Sequence, residues 1–151
     1  MIRRGCLLCV PLVLMLHIRN GILAGCVKQT RERFVQNWQV EFYESASGSN
    51  PVVDYLDSLS DREAARVRAS LFLLTESGTA LSMPHVRRME GTPLRELRVF
   101  GRIQHRVFYV AVRGRRFLLL HAFTKKTQRT PLRELRTAIQ RLADYEERFG
   151  P

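Results

Sequence analysis

The spacing of apolar residues changes once along this 151-residue chain, near Pro84. Between residues 51 and 78, apolar side chains recur every three or four positions, which is typical of amphipathic helices. Between residues 85 and 123, short β-type runs are separated by turn residues, which is typical of strands. Helical spacing returns after Pro131. The sequence therefore predicts an α+β fold, with helices and strands in separate segments.

The first part of this pattern predicts one strand and a helical hairpin. Residues 38–44 alternate as a strand does, and Asn50 with Pro51 is a favourable helix start. Residues 60–63 have the pattern of a capping box that opens a second helix, and Gly78 is predicted to end it. The predicted buried stripes are Val52, Val53, Leu56 and Leu59 in the first helix, and Ala64, Val67, Leu71 and Leu74 in the second.

The second part predicts a sheet and a final helix. Residues 85–89 form a candidate short strand, and three further strands are expected at residues 94–100, 103–112 and 116–123. The run 117–120 is apolar on both faces, which favours a central strand covered by helices. Thr130 and Pro131 are predicted to cap the last helix, with the stripe Leu132, Leu135, Ile139, Leu142 and Phe149. The predicted order is β-α-α-β-β-β-α, a small antiparallel sheet with an N-terminal helical hairpin and a C-terminal helix.

One heptapeptide, TPLRELR, occurs twice, at residues 92–98 and 130–136. The flanking residues do not match, so we interpret the repeat as a coincidence rather than as a solenoid unit. The first copy leads into a strand pattern and the second into a helical one. Context is therefore expected to override local propensity here.

Basic residues concentrate in one part of the chain. The formal net charge is +11, and residues 78–136 carry fourteen Lys or Arg against three Asp or Glu. Residues 40–77 carry three basic and seven acidic side chains. A polyanionic partner is expected, either nucleic acid or an anionic membrane surface. The segregation favours a face that follows a phosphate backbone, and a solvated Arg-rich sheet face is the alternative.

Residues 1–37 are interpreted as an N-terminal extension of a domain at residues 38–151. An uncharged apolar run at residues 6–16 follows a basic start, as in a secretory signal, and is too short to span a bilayer. Residues 23–26 resemble a lipoprotein cleavage box, in which Cys26 would carry the lipid. Three interpretations stay open: an upstream or disordered extension, a membrane-proximal signal, and a small structured addition.

Three motifs point to a known family. They are GTPLRELR at residues 91–98, HRVFY at 105–109 and LLHAFTKKTQRTP at 119–131. Together they resemble the phage-derived HigB-like branch of the RelE/ParE toxins, the toxin halves of bacterial type II toxin–antitoxin pairs. The resemblance spans roughly residues 38–148, and the N-terminal extension departs from it.

The resemblance implies a ribosome-dependent mRNA endoribonuclease with a cognate helix-turn-helix antitoxin. Such an enzyme needs no metal or cofactor: the 2′-hydroxyl attacks the adjacent phosphorus and leaves a 2′,3′-cyclic phosphate and a 5′-hydroxyl. The site needs a base, an acid and cations on the phosphate oxygens. All three cysteines lie in the first 26 residues, and the rest has no metal-ligand spacing.

The predicted catalytic residues are Arg98, Arg106, His121, Lys125 and Lys126. By resemblance, Arg106 binds phosphate and the two lysines belong to the active face, one holding phosphate and the other assisting the leaving oxygen. His121 has the right chemistry for proton transfer at neutral pH, and a role as a core histidine is the alternative.

Further residues are assigned to RNA binding or left with two readings. Arg95, Arg102, Arg129 and Tyr109 are predicted to bind RNA, and Tyr109 either stacks on a base or belongs to the core. Glu96 is interpreted as a salt-bridge partner of Arg98, with a role as base as the alternative. His105 is expected to face away from Arg106.

Two other functions remain as alternatives. One is a ParE-like, non-enzymatic toxin that binds DNA gyrase. The other is a basic nucleic-acid-binding protein anchored to a membrane through residues 1–26, if these are a genuine signal. The toxin interpretation instead places the protein in the cytoplasm and predicts an acidic antitoxin segment over its basic face.

Overall fold

The computed structural model describes residues 38–126 and 131–150. These residues form an α+β fold, as predicted, and the predicted extension at residues 1–37 lies outside them. The order is β1 (Gln39–Phe42), α1 (Pro51–Asp57), α2 (Asp61–Ser77), β2 (Val86–Arg88), β3 (Arg95–Val99), β4 (His105–Val112), β5 (Arg116–Thr124) and α3 (Leu132–Phe149), with a 3-10 turn at Gly78–Ala80.

The five strands form one mixed sheet in the order β1-β5-β4-β3-β2. The pairs β2–β3, β3–β4 and β4–β5 are antiparallel, whereas β1 pairs parallel to β5. The prediction of an antiparallel sheet is therefore wrong at β1. β2 confirms the candidate short strand at residues 85–89, which the predicted order leaves out. Alternation of side chains identifies a strand but contains no information about the direction of its partner. The predicted central position of residues 117–120 is confirmed, because β5 lies between β1 and β4.

Each face of the sheet has its own core. The hairpin side is the face covered by α1 and α2, and the α3 side is the face covered by α3. The hairpin-side core includes Val52, Leu56, Val67, Leu71, Leu74, Leu97, Val107, Tyr109, Phe117 and Leu119. The α3-side core includes Leu94, Phe108, Val110, Leu118, Leu120, Ala138, Leu142 and Tyr145. The predicted α2 stripe is buried throughout.

The buried stripe of α3 differs from the prediction. Leu132, Ile139 and Phe149 are 68 %, 40 % and 66 % exposed, whereas Ala138, Leu142 and Tyr145 are buried. Leu142 of the predicted stripe is confirmed, and Leu135 packs against the core as a partly buried side chain. The remaining positions differ because small Ala138 fits close to the sheet and Tyr145 donates to Glu41 Oε1 at 3.0 Å. Pro131 is the residue before the helix and makes no side-chain cap, and Thr130 lies outside the described residues.

The two helix starts in the hairpin follow the predicted caps, with one difference. Asn50 Oδ1 accepts from the Val53 amide at 3.2 Å, and Ser60 Oγ accepts from the Glu63 amide at 3.4 Å. The carboxylate of Glu63 does not complete the capping box. It accepts instead from His105 on β4, because that buried ring needs a partner.

A β-bulge in β5 sets the direction of His121. Phe108 pairs with His121, but the next residue of β4, Tyr109, pairs with Leu119. Leu120 is thus an extra residue, and it lies in the α3-side core while His121 contacts α3. Bulges re-aim side chains in this way, often beside functional sites.

Candidate active site

Most of the predicted catalytic residues lie at one end of the sheet, where β3 and β5 finish and β4 begins. In register, Arg98 of β3 neighbours Arg106 of β4, which neighbours Phe123 of β5. The amide of Lys125 donates to the Gln104 carbonyl at 2.8 Å, so the chain leaving β5 stays beside the β3–β4 loop. We call this region, with His121 and Lys126, the site end of the sheet.

Arg106 is held inside the protein rather than presented to solvent. Its side chain is 3 % exposed, and its Nε lies 3.3 Å from Glu96 Oε1. Nη1 donates to the His105 carbonyl at 2.9 Å and Nη2 donates to Gln104 Oε1 at 3.0 Å. Burial lowers the pKa of Arg106, while Glu96 opposes this shift. A phosphate could reach this guanidinium only by displacing internal partners, so the predicted phosphate contact stays a prediction.

Arg98 is the more accessible of the two guanidinium groups. Its side chain is 18 % exposed, and Nε donates to Glu96 Oε1 at 3.1 Å. The reading of Glu96 as a salt-bridge partner is therefore confirmed. One carboxylate faces two guanidinium groups, which leaves an excess of positive charge beside Arg98.

His121 is bound on both ring nitrogens by α3. Arg141 Nη1 lies 2.9 Å from Nδ1, and Glu134 Oε2 lies 2.6 Å from Nε2. A guanidinium can only donate, so Nδ1 is the acceptor and the proton of the neutral ring is on Nε2, where it points to Glu134. Burial lowers the pKa of His121, and Arg141 adds to this against the opposing effect of Glu134. His121 is thus a neutral, internally bonded ring.

Glu134 is the carboxylate next to this ring, and both its oxygens are occupied. Oε2 accepts from His121, and Oε1 accepts from Arg133 Nη2 at 3.0 Å. Burial raises the pKa of Glu134, but the hydrogen bonds from His121 and Arg133 outweigh it and leave a net lowering. A carboxylate in this state is a weak base.

A surface pocket of about 440 Å³ opens at the site end. Its described polar lining consists of Tyr55, His121, Thr124, Lys126, Arg133 and Glu134. Lys126 is exposed, so its ammonium group is available to an incoming ligand. A larger pocket of about 640 Å³ lies by Arg113 and Phe149, and its described lining contains none of the predicted catalytic residues. The smaller pocket is therefore the candidate active site.

The pocket includes a hydrogen-bonded chain that sequence reasoning missed. Tyr55 Oη lies 2.7 Å from His105 Nδ1 and 2.8 Å from Thr124 Oγ1. His105 Nε2 lies 2.9 Å from Glu63 Oε2. His105 faces away from Arg106, as expected, and is fully buried. No local pattern could reveal this cluster, because Tyr55 and His105 are 50 residues apart and Glu63 matched a capping box.

The predicted RNA-binding residues are dispersed. Arg95 is three residues from Arg98 on the same strand, so the two side chains leave opposite faces of the sheet. Arg102 is exposed in the β3–β4 loop at the site end, and Arg129 lies outside the described residues. Tyr109 is fully buried with its ring edge-on to Phe117 at 5.2 Å, so the prediction that it stacks on a base is wrong and its core role is correct.

The fold and the site define a basic α+β domain with a cationic pocket at one end of a mixed sheet. The chain belongs to the family described as Phage derived protein Gp49-like (DUF891), whose model matches residues 54–143, from α1 into α3. This family is related to RelE/HigB-like toxins. A search of curated proteins finds no match.

Two further observations concern the described part of the chain. None of its helices combines the length and hydropathy needed to cross a bilayer. The same residues contain no group of three or more His, Cys, Asp or Glu side chains arranged to hold a metal ion.

Proposed function

We propose that this protein is the toxin of a type II toxin–antitoxin pair, of the HigB-like branch, and that it cleaves mRNA on the ribosome. The family relation to RelE/HigB-like toxins supports the class. The observation that carries the enzymatic part is the pocket at the site end, which an exposed Lys126 lines. The partly exposed Arg98 lies at the same end of the sheet, outside the lining of this pocket.

The chemistry that suits this pocket is cleavage by the 2′-hydroxyl of RNA. The 2′-oxygen bonds to the adjacent phosphorus, the bond from phosphorus to the 5′-oxygen breaks, and the products are a 2′,3′-cyclic phosphate and a 5′-hydroxyl end. Arg98 and Lys126 stabilise the negative charge on the phosphate oxygens. Lys126 or Lys125 donates a proton to the leaving 5′-oxygen.

The partners follow from the charge distribution. The basic segment at residues 78–136 fits ribosome-bound mRNA in the cytoplasm, and it fits an acidic segment of a helix-turn-helix antitoxin. The antitoxin neutralises the toxin by covering Arg98 and Lys126. A complex in which both side chains stay open to solvent would contradict this mode of inhibition.

The test is primer extension on cellular mRNA after induction of the full chain. We expect the wild type to produce new 5′ ends and growth arrest, and Lys126→Ala to reduce cleavage by about 10²-fold or more. Arg113→Ala is the matched control, because Arg113 is an exposed residue in the β4–β5 turn at the other end of the strands. Growth arrest without transcript cleavage would refute the nuclease and favour a gyrase-binding toxin.

A further inference from the structure

A hydrogen-bonded chain leads from a buried carboxylate to the surface of the pocket. Glu63 on α2 contacts His105 on β4, which contacts Tyr55 on α1, and Thr124 on β5 contacts the same phenol oxygen. His105 is fully buried and Glu63 is 9 % exposed, whereas Tyr55 is partly exposed and lines the pocket. In the series Glu63, His105 and Tyr55, Tyr55 is therefore the residue that a ligand in the pocket can touch.

The positions of the protons follow from the partners. The hydrogen bond from His105 lowers the pKa of Glu63 against the opposing effect of burial, so Glu63 is a carboxylate that accepts from Nε2. In the tautomer with its single proton on Nε2, Nδ1 is the acceptor and the Tyr55 hydroxyl donates to it. The phenol oxygen then accepts from the Thr124 hydroxyl. The order carboxylate, imidazole, hydroxyl is that of an activated hydroxyl in a catalytic triad.

The other groups that could act as a base at this pocket are poorly suited to that role. His121 accepts from Arg141 on Nδ1 and donates from Nε2, so neither ring nitrogen has a free lone pair, and the lowered pKa of Glu134 makes it a weak base. Cleavage through the 2′-hydroxyl still requires a proton acceptor. Of the described polar side chains that line the pocket, Tyr55 is the one connected to a buried imidazole with a charged carboxylate behind it.

We propose that Tyr55 is a catalytic residue that accepts the proton of the RNA 2′-hydroxyl while its own proton passes to His105 Nδ1. The 2′-oxygen forms its bond to phosphorus as its proton moves to the phenol oxygen. The phenol stays neutral, and the positive charge moves to the His105 ring, where Glu63 stabilises it. His105 and Glu63 are positioning residues, because they act through Tyr55. This inference rests on the proposed nuclease function.

This transfer of protons through Tyr55 to His105, which we call the relay, agrees with the direction in which the pKa of Tyr55 is shifted. Burial raises the pKa of its phenol, with Thr124 opposing and Glu63 adding to the shift. A free tyrosinate is therefore disfavoured at neutral pH. Transfer through the phenol, in which one proton arrives as another leaves, avoids that anion.

The experiment is single-turnover cleavage of a ribosome-bound mRNA by the purified full chain. We expect Tyr55→Phe to lower the cleavage rate constant by about 10²- to 10⁴-fold while the affinity for the programmed ribosome stays unchanged. Tyr145→Phe is the matched control, because it also removes one phenol hydroxyl. That hydroxyl lies outside the candidate active site and donates a hydrogen bond to Glu41 Oε1. Its cleavage rate should equal that of the wild type.

A second variant reports on the relay through the rate constant. The charged groups around His105 are Glu63 and Arg66 from α2 and Arg106, which contacts its carbonyl. Glu63→Gln keeps an oxygen that can accept from Nε2 but removes the negative charge that stabilises positive charge on the ring during proton transfer. The cleavage rate constant should then fall while the affinity for the programmed ribosome stays unchanged. A purely structural role of Glu63 would change stability and leave the rate constant of the folded protein unchanged.

The outcomes separate the two proposals. Wild-type cleavage with an undiminished rate for Tyr55→Phe overturns the relay and leaves the nuclease standing. Equal losses in rate and affinity for Tyr55→Phe, or an undiminished rate constant for Glu63→Gln, also overturn it. A wild-type protein that leaves the transcript intact overturns the proposed function and the relay together. Circular dichroism confirms that each variant is folded before its rate is measured.

Discussion

Nε of Arg106 lies 3.3 Å from Oε1 of Glu96, and the two side chains are 3 % and 2 % exposed. Removal of either partner of such a buried ion pair destabilises the fold, because the remaining charge then lies in a medium of low polarity without its counter-charge. Arg106 therefore matters for folding whatever it does in catalysis. Loss of activity in an Arg106 variant is not, by itself, a sign of phosphate contact.

We expect Arg106→Met to lower the free energy of unfolding by about 3 kcal/mol. Lys126→Met, which removes an exposed charge, should change it by less than about 0.5 kcal/mol. Urea denaturation followed by the fluorescence of Trp38, the one tryptophan in the sequence, measures both. Equal midpoints for Arg106→Met and the wild type would mean that the pair does not stabilise the fold.

His121 should make stability depend on pH. Burial lowers the pKa of the folded ring, so the unfolded ring, with a pKa of about 6.5, binds a proton first as the pH falls. The contribution of His121 to the free energy of unfolding is therefore fully present above about pH 6.5 and is lost as the pH falls below that value. His121→Gln cannot take up the proton, so its loss of stability between about pH 7.5 and pH 5.5 should be smaller. Parallel curves for the two proteins would contradict the lowered pKa.

Gly78 occupies a position that is unfavourable for any side chain. It ends α2 with φ 58° and ψ −139°, and an added Cβ would lie 2.3 Å from Trp38 Nε1. Gly48→Ala is the matched control, because Gly48 has φ 81° with nothing within 4 Å of its Cβ position. Gly48→Ala should cost about 1–2 kcal/mol from backbone strain alone. Gly78→Ala should cost at least about twice that, measured by circular dichroism during urea denaturation.

The repeated heptapeptide allows a comparison between two copies of one residue. Leu94 in the first copy is 1 % exposed, and Leu132 at the same place in the second copy is 68 % exposed. Leu94→Ala should cost about 2–5 kcal/mol because it leaves a cavity in the core. Leu132→Ala should change stability by less than about 0.5 kcal/mol. Comparable losses would show that Leu132 is covered in solution.

Much of the fold was predictable because its signals are local. The N-cap at Asn50, the stripe from Ala64 to Leu74 and the stop at Gly78 depend on residues a few positions apart, and the structure confirms each of them. The run at residues 117–120 predicted a strand with two covered faces for the same reason. The stripe of α3 was predicted less well, because the choice between Leu132 and Ala138 depends on which face meets the sheet.

The candidate site was predictable as a region rather than as an arrangement. The motifs named Arg98, Arg106, His121 and Lys126 as candidates, and the pairing of β3, β4 and β5 brings this part of the chain to one end of the sheet. The sequence could not show that Glu96 lies between two arginines in space. It also could not show that the bulge at Leu120 turns His121 towards α3.

The sequence by itself determined the class of fold, the helix boundaries of the hairpin and the part of the chain that carries the positive charge. These properties depend on composition and on spacings within one or two turns of helix or strand. The tertiary structure alone decided that β1 runs parallel to β5 and that Tyr55, Glu63 and His105 meet. Contacts between residues 42 to 77 positions apart depend on how the elements pack, and no local pattern contains that information.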